Sequence, residues 1–94
     1  SGIPLRILDI LGSGGFVISN LQPELLEYFE PDYDIVIYHD MKDLVEKVQY
    51  YLDHEEARLA VARRGLDKVK ELFTFEDRLK KMLGMTSQSS ATDV

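Results

Sequence analysis

Apolar residues fall along the chain in short groups separated by polar or breaker residues. The first group, Leu5, Ile7, Leu8, Ile10 and Leu11, ends at Gly12-Ser13-Gly14-Gly15. It predicts a short helix, apolar on most sides and therefore buried, with the glycines as the residues that stop it. Phe16-Val17-Ile18-Ser19 follows as a short buried strand. Pro23 suits a first helical turn, and Leu25, Leu26 and Phe29 give that helix an apolar face, broken at Glu30-Pro31-Asp32. Ile35-Val36-Ile37-Tyr38 is a β-branched run of central-strand length. Asp40, with Asp43 three residues on, predicts a cap for an amphipathic helix carrying Met41, Leu44, Val45, Val48 and Leu52. Asp53 with Glu56 repeats the capping pattern ahead of a helix marked by Leu59, Ala62, Leu66, Val69 and Phe73. Gly65 lies inside it, at a cost of ~1 kcal/mol against Ala. Thr74 with Asp77 predicts the start of a last helix bearing Phe75, Leu79, Met82 and Leu83.

Strands alternating with helices imply an α/β arrangement with short parallel strands flanked by helices. Only two strands are predicted, and a two-stranded sheet is a poor independent core. The chain is thus expected to be a piece of a larger protein, with further strands before Ser1 and with Ser1-Gly2 as a cut point or cloning remnant. Residues 1–85 are expected to form the folded unit. Residues 86–94, rich in Ser and Thr with no apolar period, are expected to be a disordered tail.

Charge and composition narrow the possibilities further. The 94 residues carry a net charge of −6, which argues against bulk electrostatic binding of nucleic acid or an anionic membrane. There is no cysteine, so disulfides, thiolate catalysis and cysteine-ligated zinc are excluded. No apolar run reaches the ~20 residues of a membrane span, and no signal peptide is visible. A cytoplasmic location is expected. His39 and His54 lack ligand spacing, so no metal site is expected.

Candidate chemistry concentrates at the first helix. Leu5 and Arg6, directly after Pro4, stand where a helix leaves its backbone N–H groups free to receive phosphate. Arg6 can add a charge-assisted bond or serve in a surface salt bridge. Asp9, inside an otherwise apolar stretch, needs a partner if buried, and ribose hydroxyls would serve; otherwise it is a solvated carboxylate or a cap. Gly12, Gly14 and Gly15 follow the helix and so read as a turn rather than a phosphate cradle.

These residues also carry a resemblance. Arg6 to Ile18 has the Arg, acidic, small and Gly-Gly order of the glycosyl transferases group 1 domain of the spore-maturation (CgeB-like) type, a branch of the GT-B superfamily. Pro23-Glu24-Leu25 with Tyr28-Phe29-Glu30-Pro31, Asp43-Leu44 with Tyr50-Tyr51-Leu52, Arg58 with Ala62-Arg63-Arg64-Gly65, and Thr74 to Leu79 are similar to its later landmarks, in order, over residues 2–83. The resemblance implies a partial Rossmann-like C-terminal domain of a GT-B glycosyltransferase, binding the nucleotide of a nucleotide-sugar donor such as a UDP- or GDP-sugar. In that family two acidic residues flank a glycine-containing loop, and the second binds the ribose hydroxyls. That role is implied for Asp9, with Asp standing in place of Glu. Ser1 occupies the position of the first acid.

The expected function is therefore part of the donor site of a sugar transferase, acting with an acceptor and with the remaining domains of a longer chain. The piece alone is expected to be inactive, and no catalytic residue is nominated. A non-catalytic protein-interaction module with the same α/β fold is the alternative. Asp34-Ile35-Val36-Ile37-Tyr38-His39-Asp40 also resembles the phosphoacceptor strand of a receiver domain. The acid pair and the Lys that such a domain needs are missing, and a helix cap explains Asp40 more simply.

Overall fold

In the computed structural model, which describes residues 3–84, the chain runs α1 (Leu5–Gly12), β1 (Ile18–Asn20), α2 (Pro23–Tyr28), β2 (Val36–Tyr38), α3 (Met41–Asp53) and α4 (Glu55–Met82). The expected tail, 86–94, and the Ser1 position lie outside the described residues. The two strands pair in parallel, Ile18 with Val36, Ser19 with Ile37 and Asn20 with Tyr38. The result is a mixed α/β, partial Rossmann-like arrangement of two short parallel strands and several helices.

Each short strand points successive side chains to opposite faces. Ile35 and Ile37 join Ile3, Ile7, Leu11, Val17, Leu25, Phe29 and Val69 in one core. Val36 meets Tyr51 and Val61 in a second, with Phe16, Ile18 and Ala57 packed against it. In the second core the Phe16 and Tyr51 rings sit 4.9 Å apart, which anchors α3 to the segment before β1.

Several local signals act as expected. α1 ends in a glycine-terminated turn: Gly14 N–H donates to Leu11 O (3.0 Å), Gly15 N–H donates to Ile10 O (2.8 Å), and Gly14 has φ of 87°. Pro23 opens α2. Asp40 caps α3 by accepting from Asp43 N–H at 2.8 Å, while Asp43 accepts from His39 N–H at 3.0 Å. Lys47 reaches back to Asp43 at 3.1 Å and also donates to the carbonyl of Ile37 in β2. The Lys47 hydrogen bond and the His39 amide hold the Asp43 carboxyl below the ordinary carboxylate value.

Other expectations are corrected. α1 is not buried on most sides: only Ile7 and Leu11 are, and Leu5 is 76% exposed. The first strand begins at Ile18 rather than Phe16, so Phe16 is free to stack on Tyr51. Asp53 does not cap the next helix, because it is the last residue of α3 and His54 makes the junction without a side-chain cap. Instead Arg58 Nη1 donates to Tyr51 O at 2.8 Å, satisfying a carbonyl at the end of α3. Nor does Thr74 start a helix. α4 runs unbroken for 28 residues, and the Thr74 hydroxyl donates to Lys70 O at 2.9 Å within it.

The buried faces also differ from the apolar stripes. α3 turns Tyr51 inward and half-buries Leu44 and Lys47, leaving Met41, Val45 and Leu52 exposed. α4 buries Val61, Ala62, Gly65 and Val69 but exposes Leu59 and Phe73. A two-stranded sheet is too narrow to cover a full apolar stripe on each helix, and the aromatic contact to Phe16 decides which side of α3 faces in.

At Gly65 the α4 backbone lies close against the rest of the chain. A Cβ there would lie 2.8 Å from Asp34 O and 2.8 Å from Leu11 Cδ2. The neighbouring Arg64 stacks 4.5 Å over the Tyr33 ring and donates to Tyr33 O at 3.3 Å. The turn so gripped is internally tied. Asp34 carboxylate accepts from Glu30 N–H at 2.7 Å, and the N–H groups of Tyr33 and Asp34 both donate to Glu30 O at 3.1 Å. Asp32 takes φ of 64° there.

The junction is testable in two ways. Gly65→Ala, a change that favours an isolated helix by ~1 kcal/mol, is expected to lower stability by about 1–3 kcal/mol through overpacking, measured by urea unfolding. Asp34 is only 2% exposed, and burial pushes its carboxyl above the ordinary 3.8 despite the Glu30 amide. Its protonated form is therefore favoured by folding, so its contribution is largest below 3.8 and is lost as pH rises through the raised folded value. Asp34→Asn, which keeps an acceptor for Glu30 N–H, is expected to flatten the part of the stability profile that falls as pH rises from the ordinary 3.8 through the raised folded value, measured by urea unfolding at a series of pH values.

Candidate functional site

The start of α1 presents backbone donors that have no partner among the described residues. Pro4 occupies the N-cap position, no side chain caps the helix, and its first turn holds no acidic residue. Ile7 and Leu8 N–H both donate to Pro4 O, at 3.1 and 3.3 Å. The N–H groups of Leu5 and Arg6 precede any intrahelical acceptor. Their partial positive charge, with no carboxylate in the first turn to offset it, suits an anion.

These residues border a cleft of about 520 Å³, within the range of small-molecule sites. Pro4, Arg6, Ile7 and Ile10 form its α1 side. Ser19, Asn20 and Tyr38 enter from the carboxyl ends of β1 and β2, and Gln22 from the turn into α2. The Gln22 amide nitrogen donates to Ser19 Oγ at 3.3 Å and to Asn20 Oδ1 at 3.2 Å, and the Ser19 hydroxyl donates to Asn20 O at 3.0 Å. The cleft thus offers donors on one wall and hydroxyl and amide groups on the other. In α/β sheets ligands bind at the carboxyl ends of parallel strands, and this cleft has that location.

The four residues nominated from sequence are brought together only in part. Pro4 and Arg6 line the cleft. Leu5 contributes its backbone N–H to the helix start, while its side chain lines a separate apolar groove with Ile3, Leu8 and Leu72. Asp9 is exposed on α1 and is not among the cleft's lining residues. Being solvated, its carboxylate has no burial penalty to offset, so the need for a partner vanishes while its availability to a ligand remains. Sequence reasoning missed Ser19, Asn20, Gln22 and Tyr38. The signal was present: they are the polar residues that end or directly follow the two β-branched runs.

The chemistry within reach is anion and polyol binding. Among the described residues no group of His, Asp and Glu side chains is gathered to hold a metal ion. No helix among them is long and apolar enough to cross a membrane. His54 is occupied structurally, its Nδ1 2.7 Å from Tyr50 O and its ring stacked 4.0 Å from the Tyr50 ring. Asp40 serves as the α3 cap, as its place ahead of that helix suggested.

The sequence profile of a family described as glycosyl transferase-like matches residues 1–84. No curated protein and no solved structure matches the chain.

Arg6 and Asp9 are exposed and make no side-chain hydrogen bond among the described residues, so Arg6→Ala and Asp9→Ala are each expected to change unfolding free energy by less than about 0.5 kcal/mol. Chemical denaturation checks this, and it licenses these variants for binding work.

Proposed function

The chain belongs to the glycosyl transferase-like family, and on that premise we propose that the cleft ahead of α1 is part of a nucleotide-sugar donor site. The observation that carries this reading is an uncapped helix start opening into a cleft that gathers Ser19, Asn20, Gln22 and Tyr38 at the carboxyl ends of parallel strands. The free N–H groups of Leu5 and Arg6 take the donor's phosphate oxygens, and the Arg6 guanidinium adds a charge-assisted bond. Asp9 follows Leu5 by about 6 Å along the helix axis at 1.5 Å per residue. From there its carboxylate accepts from the ribose hydroxyls. Ser19, Asn20 and Gln22 face the space left for the rest of the donor.

In this reading the chain supplies part of a CgeB-like, GT-B-type donor domain, located in the cytoplasm. The sugar passes from its nucleotide to an acceptor hydroxyl, in a cleft completed by other domains of a longer chain. The residues described here bind and orient the leaving nucleotide and stabilise its charge. None of them is assigned to proton transfer.

Amide chemical-shift titration of the 94-residue chain with UDP, GDP and inorganic pyrophosphate tests the site. Binding near millimolar, only ~4 kcal/mol, is expected for an incomplete site, with shifts centred on Leu5 and Arg6. Asp9→Ala is expected to weaken both nucleoside diphosphates about fivefold, the equivalent of one hydrogen bond of ~1 kcal/mol, and to leave pyrophosphate unaffected. Unmoved Leu5 and Arg6 amides at millimolar nucleotide would refute the assignment.

A further inference from the structure

The far wall of the cleft is built around two side-chain amides whose hydrogen bonds fix what they offer a ligand. Ser19 is buried, and its hydroxyl donates to Asn20 O at 3.0 Å. The Gln22 amide nitrogen donates to that hydroxyl oxygen at 3.3 Å and to Asn20 Oδ1 at 3.2 Å. Both hydrogens of the Gln22 amide are thereby used. Among the described residues Gln22 Oε1 and Asn20 Nδ2 have no partner. The network therefore presents an acceptor and a donor group side by side at the carboxyl end of β1. Turning both amides over would exchange the two atoms and leave the same pair.

The chemistry of this pair selects its ligand. Two neighbouring hydroxyls of a sugar ring fit it, because one donates to Gln22 Oε1 while the next accepts from Asn20 Nδ2. Among the residues lining the cleft only Arg6 is charged, and none is acidic. A sugar carboxylate would compete with phosphate for Arg6, and a sugar ammonium would find no carboxylate. A neutral sugar brings no charge that needs a partner. The direction of the donor follows from Asp9, which stands beyond the free amides on α1 and outside the cleft lining. Ribose held by Asp9 carries the base away from β1. The opposite end of the diphosphate, which bears the sugar, then enters the cleft toward Asn20 and Gln22.

We infer that Asn20 and Gln22 bind a vicinal diol of the donor's sugar, and that this sugar is a neutral one. The inference rests on the nucleotide-sugar reading of the cleft. It adds to that reading which wall holds the sugar and which class of sugar fits.

Asn20 is the only asparagine in the chain, so its side-chain NH2 resonances report on the pair directly. The chain is titrated with UDP, UDP-glucose and UDP-glucuronic acid, and in parallel with GDP and GDP-mannose. The bare diphosphates are expected to shift the Leu5 and Arg6 amides and to leave the Asn20 NH2 in place. The matching neutral nucleotide sugar should move the Asn20 NH2 as well and bind about fivefold more tightly. UDP-glucuronic acid should bind no more tightly than UDP. In Asn20→Ala and in Gln22→Ala, with chemical denaturation confirming that each folds, the neutral sugar's gain over its diphosphate should disappear. If Leu5 and Arg6 respond but UDP-glucose and GDP-mannose leave the Asn20 NH2 unmoved, the inference is overturned and the nucleotide site stands. It is equally overturned if the bare diphosphates shift the Asn20 NH2 as far, if glucuronic acid gains as much as glucose, or if the gain survives in both variants. If Leu5 and Arg6 respond to none of these compounds, the nucleotide reading and the inference fall together.

Discussion

Contact between the α4 backbone and the turn before β2 is the constraint on which the rest of the arrangement depends. With no side chain at Gly65, α4 lies against Asp34 O and Leu11 at once. That single approach ties the last helix to the first helix and to the segment that delivers β2. Arg64 reinforces the grip from the neighbouring turn through Tyr33. With only two short strands, the sheet cannot set the position of the helices by itself. It is the α1–α4 contact, through Leu11 and Val69, that fixes where α1 begins relative to the strand ends, and so where the cleft opens.

Legibility of the sequence followed from how local each determinant is. The Asp40 cap and Pro23 were readable because capping and proline geometry act within a few residues. The glycine turn after α1 was readable for the same reason. Existence of α3 was readable from its period, but not the face it buries, because Tyr51 is drawn inward by Phe16, thirty-five positions away in the chain. Thr74 and Asp77 look like a helix start, and so do Asp53 and Glu56. In α4 the chain continues through the first pair, since Thr74 satisfies its hydroxyl on Lys70 O and leaves the backbone ladder intact. Gly65 is the clearest case of a tertiary determinant. Read locally it is a defect of about 1 kcal/mol in a helix, whereas in the fold it is the residue that permits a close approach.

The candidate site divides along the same line. The helix start at Pro4, Leu5 and Arg6 was legible because free N–H groups are a property of any helix beginning. The opposite wall was not, because Ser19, Asn20 and Tyr38 become neighbours of α1 only once the parallel register is set. Asp9 shows how a nomination can rest on a wrong premise. Its appearance among Leu and Ile residues suggested burial and a need for compensation. The helix exposes that side, so whatever function Asp9 has comes from where it stands, a turn beyond the free amides, and not from any cost of keeping it inside.

Two of the helix starts have contrasting arrangements, and the contrast bears on function. α3 has Asp40, Asp43 and Lys47 arranged so that the Asp43 and His39 amides and the Ile37 carbonyl are all satisfied by side chains. That end is closed and can only stabilise. Among the described residues α1 leaves its first amides without a partner behind a proline, with no carboxylate in its first turn. Water satisfies such groups at little cost to folding, so the open end is no defect in the isolated chain. A phosphate oxygen can replace that water without any side chain having to move, and the dipole of α1 then acts on the ligand rather than on a cap. A capped α1 would gain stability of about 1 kcal/mol and lose the free donors on which the proposed anion site depends.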